Sequence, residues 1–202
     1  KSRSIIQGDH HKYTGTKAGD QGKNIEVAER LFYETGFSRT STRSIAKEVG
    51  ISVSNLYKYF ADKQAIFSAI VDPFYHRTRG NLAALFNEEH AEMDSHIMDI
   101  AIQQIMSMMM TDRREFVMLM GRSEGTRYAH VKEEIIGMMA THMSESVNHN
   151  VLKDTFILRG FARNFFEGIL KIAENSPGNV TFVTDNVSAL VRYHMAGIAQ
   201  FY

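Results

Sequence analysis

The sequence predicts an all-α protein with a small three-helix head and a larger helical body. Two short capped helices around a glycine are indicated between residues 40 and 67. Beyond residue 79 the apolar periodicity stays helical, and no strand-like alternation persists. Cysteine is absent from the 202 residues, which excludes disulfides and thiolate metal sites and fits a reducing compartment.

The first part of the chain predicts an arm followed by a helix. Residues 1–19 contain three glycines and hardly any apolar periodicity, so we expect a flexible arm. Helix 1 is predicted over residues 20–35, with Gly36 as its stop. The apolar face of this helix carries Ile25, Ala28, Leu31 and Phe32.

Two short helices are predicted next, each with its own capping residue. Ser41 has a suitable side chain to cap the first, and Gly50 can adopt the left-handed conformation that ends it. Ser52 caps the second. The first helix is predicted to bury Ile45, Ala46 and Val49. This arrangement is a helix-turn-helix.

The second of these helices carries side chains that packing does not require. Leu56 and Phe60 are four residues apart and are predicted to face inward. The residues left outside the core are Val53, Ser54, Asn55, Tyr57 and Lys58. Side chains of these types can read a major groove and hold phosphates.

Six more helices are predicted after helix 4. Helix 4 begins after Asp62, its predicted cap, and Pro73 inside its apolar pattern predicts a kink or an interruption, because proline removes a backbone donor. The later helices are predicted at residues 75–90, 95–110, 112–122, 128–148, 154–175 and 184–201, with residues 180–183 as a candidate for a brief extended segment.

The caps, turns and aromatic residues of the head share one spacing pattern. Its positions are Leu31, Phe32, Gly36, Phe37, Thr40, Ile45, Ala46, Gly50, Ser52, Leu56, Tyr57, Phe60 and Lys63. On this pattern, residues 20–71 resemble the DNA-binding domain of the TetR family of bacterial transcriptional regulators. The resemblance implies a DNA-binding domain at residues 20–65 and an effector-binding and dimerisation domain at residues 66–202.

The resemblance also implies which residues contact DNA. Tyr57 and Lys63 would contact phosphates, Asn55 can pair with adenine, and Arg43 can reach guanine. The predicted DNA-binding set is Thr42, Arg43, Ser52, Val53, Ser54, Asn55, Tyr57, Lys58, Tyr59 and Lys63.

Charge is divided between the two parts of the chain. The net charge is zero, but residues 1–71 hold 11 Lys or Arg against 7 Asp or Glu, and residues 72–202 hold 12 against 16. Because phosphates attract positive charge, we expect the phosphate-binding surface to lie on the basic head and not on the acidic body.

Methionine indicates a binding cavity in the body. All 12 methionines lie between Met93 and Met195, and this residue type adapts to irregular apolar partners. The resemblance implies a cavity for a small, largely apolar effector among the middle helices. The predicted effector-binding set is Phe74, Phe86, Met106, Met109, Met110, Phe116, Met120, Tyr128, Met139 and Phe165.

The last two predicted helices suggest a homodimer interface. The helix at residues 154–175 has more apolar surface than one core-facing stripe requires. The resemblance implies that two such helices from each of two chains form a four-helix interface. The predicted dimerisation set is Phe161, Asn164, Gly168, Leu190, Val191, His194 and Ile198.

We therefore expect a homodimeric repressor, without catalytic activity, that binds a palindromic DNA operator and leaves it when a small molecule binds. No cofactor or metal is predicted, because the nine histidines form no His-x-x-x-His pair with a nearby carboxylate. No apolar run approaches the roughly 20 residues that span a bilayer, and residues 1–24 are unlike a secretory signal, so we expect a cytoplasmic location.

Two other functions stay open. Residues 121–125 match the Gly-x-Ser-x-Gly nucleophile elbow of serine hydrolases, with Ser123 as the nucleophile. That turn needs a strand at residues 116–120 and a parallel sheet, which the helical periodicity disfavours. The other alternative is a helical regulator controlled by a protein partner, for which a filled body without a cavity would be evidence.

Overall fold

The computed structural model describes residues 16–87, 95–146 and 155–201. These residues form nine α-helices and one short 3-10 helix, and no strand occurs among them. The predicted all-α class is confirmed. Most of the predicted arm, residues 1–15, lies outside the described residues. The first helix, α1 (Thr16–Thr35), begins four residues before the predicted position, so residues 16–19 are helical.

The caps of the helix-turn-helix form as predicted around α2 (Thr42–Val49) and α3 (Val53–Leu56). Ser41 and Ser44 make a reciprocal capping box, in which the N–H of Ser44 donates to Ser41 Oγ at 3.0 Å and the N–H of Ser41 donates to Ser44 Oγ at 3.1 Å. Gly50 ends α2 in the left-handed conformation, with φ of 83°. Ser52 Oγ accepts the N–H of Asn55 at 3.1 Å and so caps α3.

Aromatic rings fill the core of the head. The Phe32 and Phe67 rings meet edge to face with their centroids 5.2 Å apart, and the Phe37 ring lies 5.8 Å from Phe32 and 5.4 Å from Phe67. Leu56 and Phe60 are buried as predicted. Truncating a buried phenylalanine costs about 3–5 kcal/mol, so this core holds α1, the turn after it and α4 (Lys63–Asn87) firmly together, while α3 packs against α2.

The long helix α4 crosses from the head into the body without a break. It begins at the predicted cap, where Asp62 Oδ1 accepts the N–H of Ala65 at 2.7 Å. The prediction of a separate helix from residue 75 was wrong, because α4 continues through Pro73. Proline removes one backbone hydrogen bond, and the buried side chains on both sides of it, Val71 and Phe74 among them, keep the helix packed. The predicted domain boundary between residues 65 and 66 falls inside this helix.

The body consists of five further helices, whose positions agree with the predictions to within a few residues. They are α5 (Ser95–Thr111), α6 (Arg113–Gly121), α7 (Val131–Ser146), α8 (Thr155–Asn175) and α9 (Val180–Ile198), and a 3-10 turn at Ala199–Phe201 follows. The extended segment suggested for residues 180–183 was wrong. Asn179 caps α9 by accepting the N–H of Thr181 at 2.8 Å, so Val180 is already helical and Val183 is buried in the core.

The short helix α6 occupies the centre of the body. All of its residues from Phe116 to Met120 are buried, and it packs against α1, α4, α5, α7 and α8. It therefore connects the head to most of the body. Among the described residues, no helix has both the length and the apolar character that crossing a bilayer requires.

Candidate nucleic-acid interface

The outer surface of α3 presents polar side chains that the core does not use. Ser52, Ser54 and Lys58 are exposed, and Tyr57 exposes 47% of its surface. The rigid core beneath them fixes the backbone from which they project. These residues form a compact surface of hydroxyl, phenol and ammonium groups, all of which can contact a DNA backbone or base edges.

The start of α2 meets this surface. Thr42 Oγ1 and the hydroxyl of Tyr57 share a hydrogen bond of 3.3 Å, which ties the end of α3 to the start of α2. Arg43 is exposed on α2, while Val53 and Asn55 on α3 are half-buried. The structure thus brings Thr42 and Tyr57 together and leaves Arg43, Ser52, Ser54 and Lys58 exposed, whereas Val53 and Tyr59 pack partly against the core.

Lys63 differs from the rest of the predicted set because its ammonium faces the protein. Its Nζ donates to the carbonyl oxygens of Phe37 at 2.8 Å and Thr40 at 2.9 Å, and it lies 4.0 Å from the centroid of the Phe37 ring. Burial lowers the pKa of Lys63. Two of its three N–H donors therefore support the connection between α1 and α2. A phosphate contact by the remaining donor stays a prediction.

Thr40 also belongs to this support. It is buried, and its hydroxyl donates to the carbonyl oxygen of Gly36 at 2.8 Å and lies 2.8 Å from the hydroxyl of Thr35. The sequence pattern contained Thr40 and Lys63, but it gave no sign that they meet at one turn. Thr40 and Lys63 therefore both support the backbone that lies beneath the interface.

Residues 25–70 match the family model described as bacterial regulatory proteins, tetR family. Residues 25–70 of the chain belong to the TetR family. Among its relatives, the HTH-type transcriptional regulator TtgR of Pseudomonas putida is 36% identical over 70 residues, which are 35% of this chain and 32% of TtgR. The regulator AcrR of Shigella flexneri is 32% identical over 98 residues, 46% of this chain and 44% of AcrR.

These alignments span less than half of each relative's own length. The probable regulator YttP of Bacillus subtilis is matched over only 28% of its length, at 39% identity over 59 residues. Solved structures extend the likeness to the body as a fold. A TetR-family regulator from Bordetella parapertussis has a TM-score of 0.61 at 19% identity and covers 90% of this chain and 95% of its own. NalD of Pseudomonas aeruginosa has a TM-score of 0.54 at 19% identity, covering 90% and 96%.

The predicted effector-binding residues are divided among several places in the body. Phe74 and Phe116 do meet, edge to face with centroids 6.3 Å apart, and Met109 and Met120 are also buried. Met106 and Met139 are half-buried. The side chain of Phe86 lies outside the described residues.

Three members of that set lie away from a common centre. Met110 exposes 46% of its surface. Phe165 stacks on His194 with ring centroids 4.5 Å apart, between α8 and α9. Tyr128 packs against Phe67, with centroids 6.0 Å apart, near the head. The effector-binding role of the set stays a prediction.

A cavity of about 430 Å³ opens on α7 instead. Its described lining residues are Gly137, Met138, Thr141, His142 and Glu145, none of which belongs to the predicted effector-binding set. All five residues lie on one helix and the space is wide open to solvent, so it lacks the enclosure of the pockets that bury a small ligand.

Several predicted dimerisation residues pack within the protomer. Val191 and Ile198 are buried in the core of this chain, so they offer no free surface to a second copy. Gly168 lies against Leu190, and a Cβ atom at this position would stand only 2.7 Å from Leu190 Cδ2. The small residue therefore lets α8 and α9 of one chain approach each other. The sequence could not separate this intrachain contact from one between chains.

Other apolar residues of α8 and α9 are exposed. Tyr193 and Phe156 each expose 80% of their surface and Ile157 exposes 39%, while Asn164 is exposed and Phe161 stacks on Phe201 at 5.7 Å. Tyr193 was missed because it lies opposite the apolar stripe that periodicity picks out. The dimerisation role of Phe161, Asn164, Leu190 and His194 stays a prediction.

The nucleophile-elbow interpretation of Ser123 was wrong in its structural premise. Residues 116–120, which would have to form a strand, belong to α6. Ser123 is buried, and its hydroxyl donates to the carbonyl oxygen of Leu119 at 2.8 Å. The motif is the end of a helix followed by a glycine turn, and the serine satisfies the last backbone carbonyls of that helix.

The connection between α6 and α7 binds the head at the turn after α1. The N–H of Phe37 donates to the carbonyl of Arg122 at 3.0 Å, and Ser38 Oγ donates to the carbonyl of Glu124 at 2.7 Å. In return, Arg122 Nη1 donates to the carbonyl of Glu34 at 2.7 Å. These contacts join the head and body directly, beside the link that α4 provides.

The same connection also binds α4. Arg127 Nη2 donates to both carboxylate oxygens of Asp72 at 2.9 and 3.0 Å, and the hydroxyl of Tyr128 donates to Asp72 as well. Burial, together with the hydrogen bond to Asp72, raises the pKa of Tyr128. The Tyr128 ring lies between Phe67 and Tyr75 of α4, at centroid distances of 6.0 and 5.4 Å. The segment that follows α6 therefore contacts both the turn after α1 and α4.

A third contact joins α1 to the body through Arg113. Its Nη1 donates to the hydroxyl of Tyr33 at 3.2 Å and to the carbonyl oxygens of Ala173 and Ser176 at 3.1 Å each. The guanidinium thus connects α1 to the end of α8.

Proposed function

We propose that this chain is a transcriptional repressor that binds a palindromic operator as a homodimer and is released by a small, largely apolar effector. The observation that carries the proposal is the exposed polar surface of α3, whose side chains the fold does not use. The names of relatives such as TtgR and AcrR, which are HTH-type transcriptional regulators, support the same class of function.

In the proposed complex, some side chains of the head contact base edges and others contact phosphates. Ser54 and Asn55 on α3 lie toward base edges, where the amide of Asn55 can pair with adenine. Arg43 on α2 can pair with guanine through its two-pronged guanidinium. Tyr57 and Lys58 contact the flanking phosphates and hold the register of the head on the duplex.

The proposed dimer uses the exposed apolar residues of α8 and α9. Tyr193, Phe156 and Ile157 would be covered by a second copy, together with the small residues of α9 around Ala189. A two-fold axis through this surface would repeat the heads. Two heads 34–36 Å apart match successive major grooves, about one helical turn of DNA.

The proposed effector acts through the body contacts that hold the head. A ligand can release DNA only if it binds more tightly to a conformation in which the two heads are spaced wrongly. The connection between α6 and α7 reaches both the turn after α1 and α4, so a displacement of α6 would be transmitted to the whole head. We propose α4, which carries Pro73, as the element that transmits this displacement.

A selection experiment tests the proposal. The wild-type protein is incubated with a library of random DNA duplexes, and the bound sequences are amplified and counted over several rounds. We expect enrichment of one palindrome, and binding to it in a two-to-one ratio of protein to duplex. Enrichment of no sequence would contradict the proposal.

Two variants sharpen that test. Lys58→Ala should weaken binding to the selected duplex and reduce the slope of log affinity against log salt by about one, since one phosphate contact is lost. Arg159→Ala is the matched control, because it also removes one positive charge but lies on α8, and Glu133 keeps its 2.6 Å ion pair with Arg163. Equal loss in both variants would indicate a general charge effect.

A further inference from the structure

A small cavity brings a lysine of α1 next to the proposed DNA-reading surface. Its volume is about 100 Å³, and its walls come from α1 and from the helix-turn-helix. Lys23 of α1 lines it together with Asn55 and Tyr59, two members of the predicted DNA-binding set. Lys23 was not in that set, because nothing in the sequence pattern places α1 beside α3. The structure therefore adds a cation to the border of this surface.

The charge of Lys23 is not used within the described part of the chain. The residue is exposed, and its ammonium has neither an ion pair nor a hydrogen bond to any described residue. Arg30, about two turns further along α1, differs in this respect. Its guanidinium pairs with Glu48 at 2.5 Å and with Glu34 at 3.4 Å. The charge of Arg30 therefore joins α1 to α2, whereas the charge of Lys23 is available to an anion outside the protein.

Lys23 and the hydroxyl of Tyr57 lie on different sides of α3. Tyr57 shares a hydrogen bond with Thr42 at the start of α2, whereas Asn55 borders the cavity that Lys23 lines. Each residue of an α-helix is rotated by about 100° from the one before it, so positions 55 and 57 differ by about 200° and point in nearly opposite directions. A helix that lies in the major groove has a phosphate backbone on each side, one from each DNA strand. Residues on the two sides of α3 therefore face different strands.

We propose that Lys23 contacts a backbone phosphate on the strand that lies across the major groove from the strand contacted by Tyr57. A lysine ammonium on its flexible four-carbon stem suits a phosphate oxygen as a point-charge contact. Lys63, by comparison, directs two of its three donors to the carbonyl oxygens of Phe37 and Thr40. This inference rests on the proposed DNA-binding function and adds α1 to the elements that hold the head on the duplex.

The salt dependence of DNA binding tests the contact. Each phosphate contact contributes about 0.9 to the slope of log affinity against log salt, so Lys23→Ala should lower the slope by about 0.9 for each bound head. Between 50 and 200 mM salt, the affinity of the variant should therefore fall about 3.5-fold less per head than that of the wild type. Alanine is a strong helix former, so the variant should keep α1 intact, which circular dichroism checks.

Two further variants separate the contact from a general charge effect. Lys23→Arg keeps the positive charge and should keep the wild-type slope. Arg159→Ala removes a positive charge on α8, where it pairs with Glu133, and should also leave the slope unchanged. An unchanged slope in Lys23→Ala, or an equal fall in Lys23→Ala and Arg159→Ala, would overturn the inference.

Uncharged phosphates locate the partner of Lys23. In the selected duplex, one phosphate at a time is replaced by a neutral methylphosphonate in both half-sites. At one position, Lys23→Ala should bind as tightly as the wild type, because the contact is already lost from both. Tyr57→Phe should show the same behaviour at a position on the other strand. If no position removes the effect of Lys23→Ala, or if both positions lie on one strand, the inference is wrong.

Failure of the inference and failure of the proposed function give different results. If Lys58→Ala weakens binding to the selected duplex while Lys23→Ala changes neither affinity nor slope, only the inference fails. If the wild-type protein selects no palindrome, the proposed function fails. The slope measured on a random duplex still decides the role of Lys23 in that case, because phosphate contacts do not depend on sequence.

Discussion

Replacing Lys63 with methionine should destabilise the head, because the Lys63 ammonium joins two of its parts. Nζ donates to the carbonyl oxygens of Phe37 and Thr40 at 2.8 and 2.9 Å and lies over the Phe37 ring. A hydrogen bond from a charged donor contributes about 1.5–3 kcal/mol, and an exposed cation–π contact about 0.5–1 kcal/mol. The side chain is partly buried and methionine keeps the packing of its stem. Taking the lower value for each of the two hydrogen bonds alone, we expect a loss of at least about 3 kcal/mol.

Urea denaturation followed by circular dichroism measures this loss. For a chain of this size it corresponds to a fall of about 6–12 °C in the melting temperature. Lys58→Met is the matched control: Lys58 is exposed, so its stability should change by less than about 0.5 kcal/mol, while its DNA affinity falls. If Lys63→Met is as stable as the wild type and loses only DNA affinity, then Lys63 serves the phosphate backbone and the structural reasoning is refuted.

Three further predictions concern the body. Gly168→Ala should be less stable than Gly160→Ala by about 1 kcal/mol in denaturation, because its new Cβ would stand 2.7 Å from the end of the Leu190 side chain, which must shift, whereas nothing lies within 4 Å of a Cβ at position 160; equal stability of the two would contradict the close approach. Tyr193→Glu should convert the dimer into monomers in analytical ultracentrifugation, and a persistent dimer would exclude α9 from the interface. Tyr128→Phe should cost about 1 kcal/mol through loss of the hydrogen bond to Asp72. Burial and, second, the hydrogen bond to Asp72 raise the pKa of the Tyr128 hydroxyl. The hydroxyl therefore contributes its full share to the free energy of unfolding below a pH of about 10 and loses it as the pH rises through the folded-state pKa. The stabilities of the wild type and Tyr128→Phe should therefore converge at high pH.

The local signals of the helix-turn-helix could be predicted because each depends on a few neighbouring residues. Ser41 and Ser52 cap helices through their own side chains, and Gly50 supplies a left-handed turn that other residues adopt at a cost. The same local reasoning failed to predict that α4 continues past Pro73. There the effect of one lost hydrogen bond depends on how well the flanking turns are packed, which is a property of the tertiary structure.

The division between core and interface could not be predicted from periodicity. Val191 and Tyr193 lie two residues apart on α9, yet the first is buried and the second is 80% exposed. An apolar stripe shows which face of a helix is covered, but not whether the same chain or a second copy covers it. Gly168 carries the same ambiguity, since a small residue permits close approach by any helix.

The candidate site shows a similar limit. Ser54, Tyr57 and Lys58 are exposed as expected, since the inward positions of Leu56 and Phe60 fix the orientation of the short helix. The role of Lys63 depends on carbonyl groups 23 and 26 residues earlier in the chain.

The three contacts between head and body limit how the proposed repressor can switch. Arg122 bonds the turn after α1 to the body, Asp72 bonds α4 to it, and Arg113 bonds α1 itself to it. Within the head, the rings of Phe32, Phe37 and Phe67 are closely packed, and packed cores change between discrete arrangements far less readily than surfaces move. An effector that shifts a 99:1 preference for the DNA-binding state to 1:99 must favour the other state by about 5.5 kcal/mol. Moving each head as a whole about its contacts with the body requires no repacking of the three rings, so it is the easier way to reach a second state of this kind. We therefore expect the effector to change the separation of the two heads and not the shape of α3.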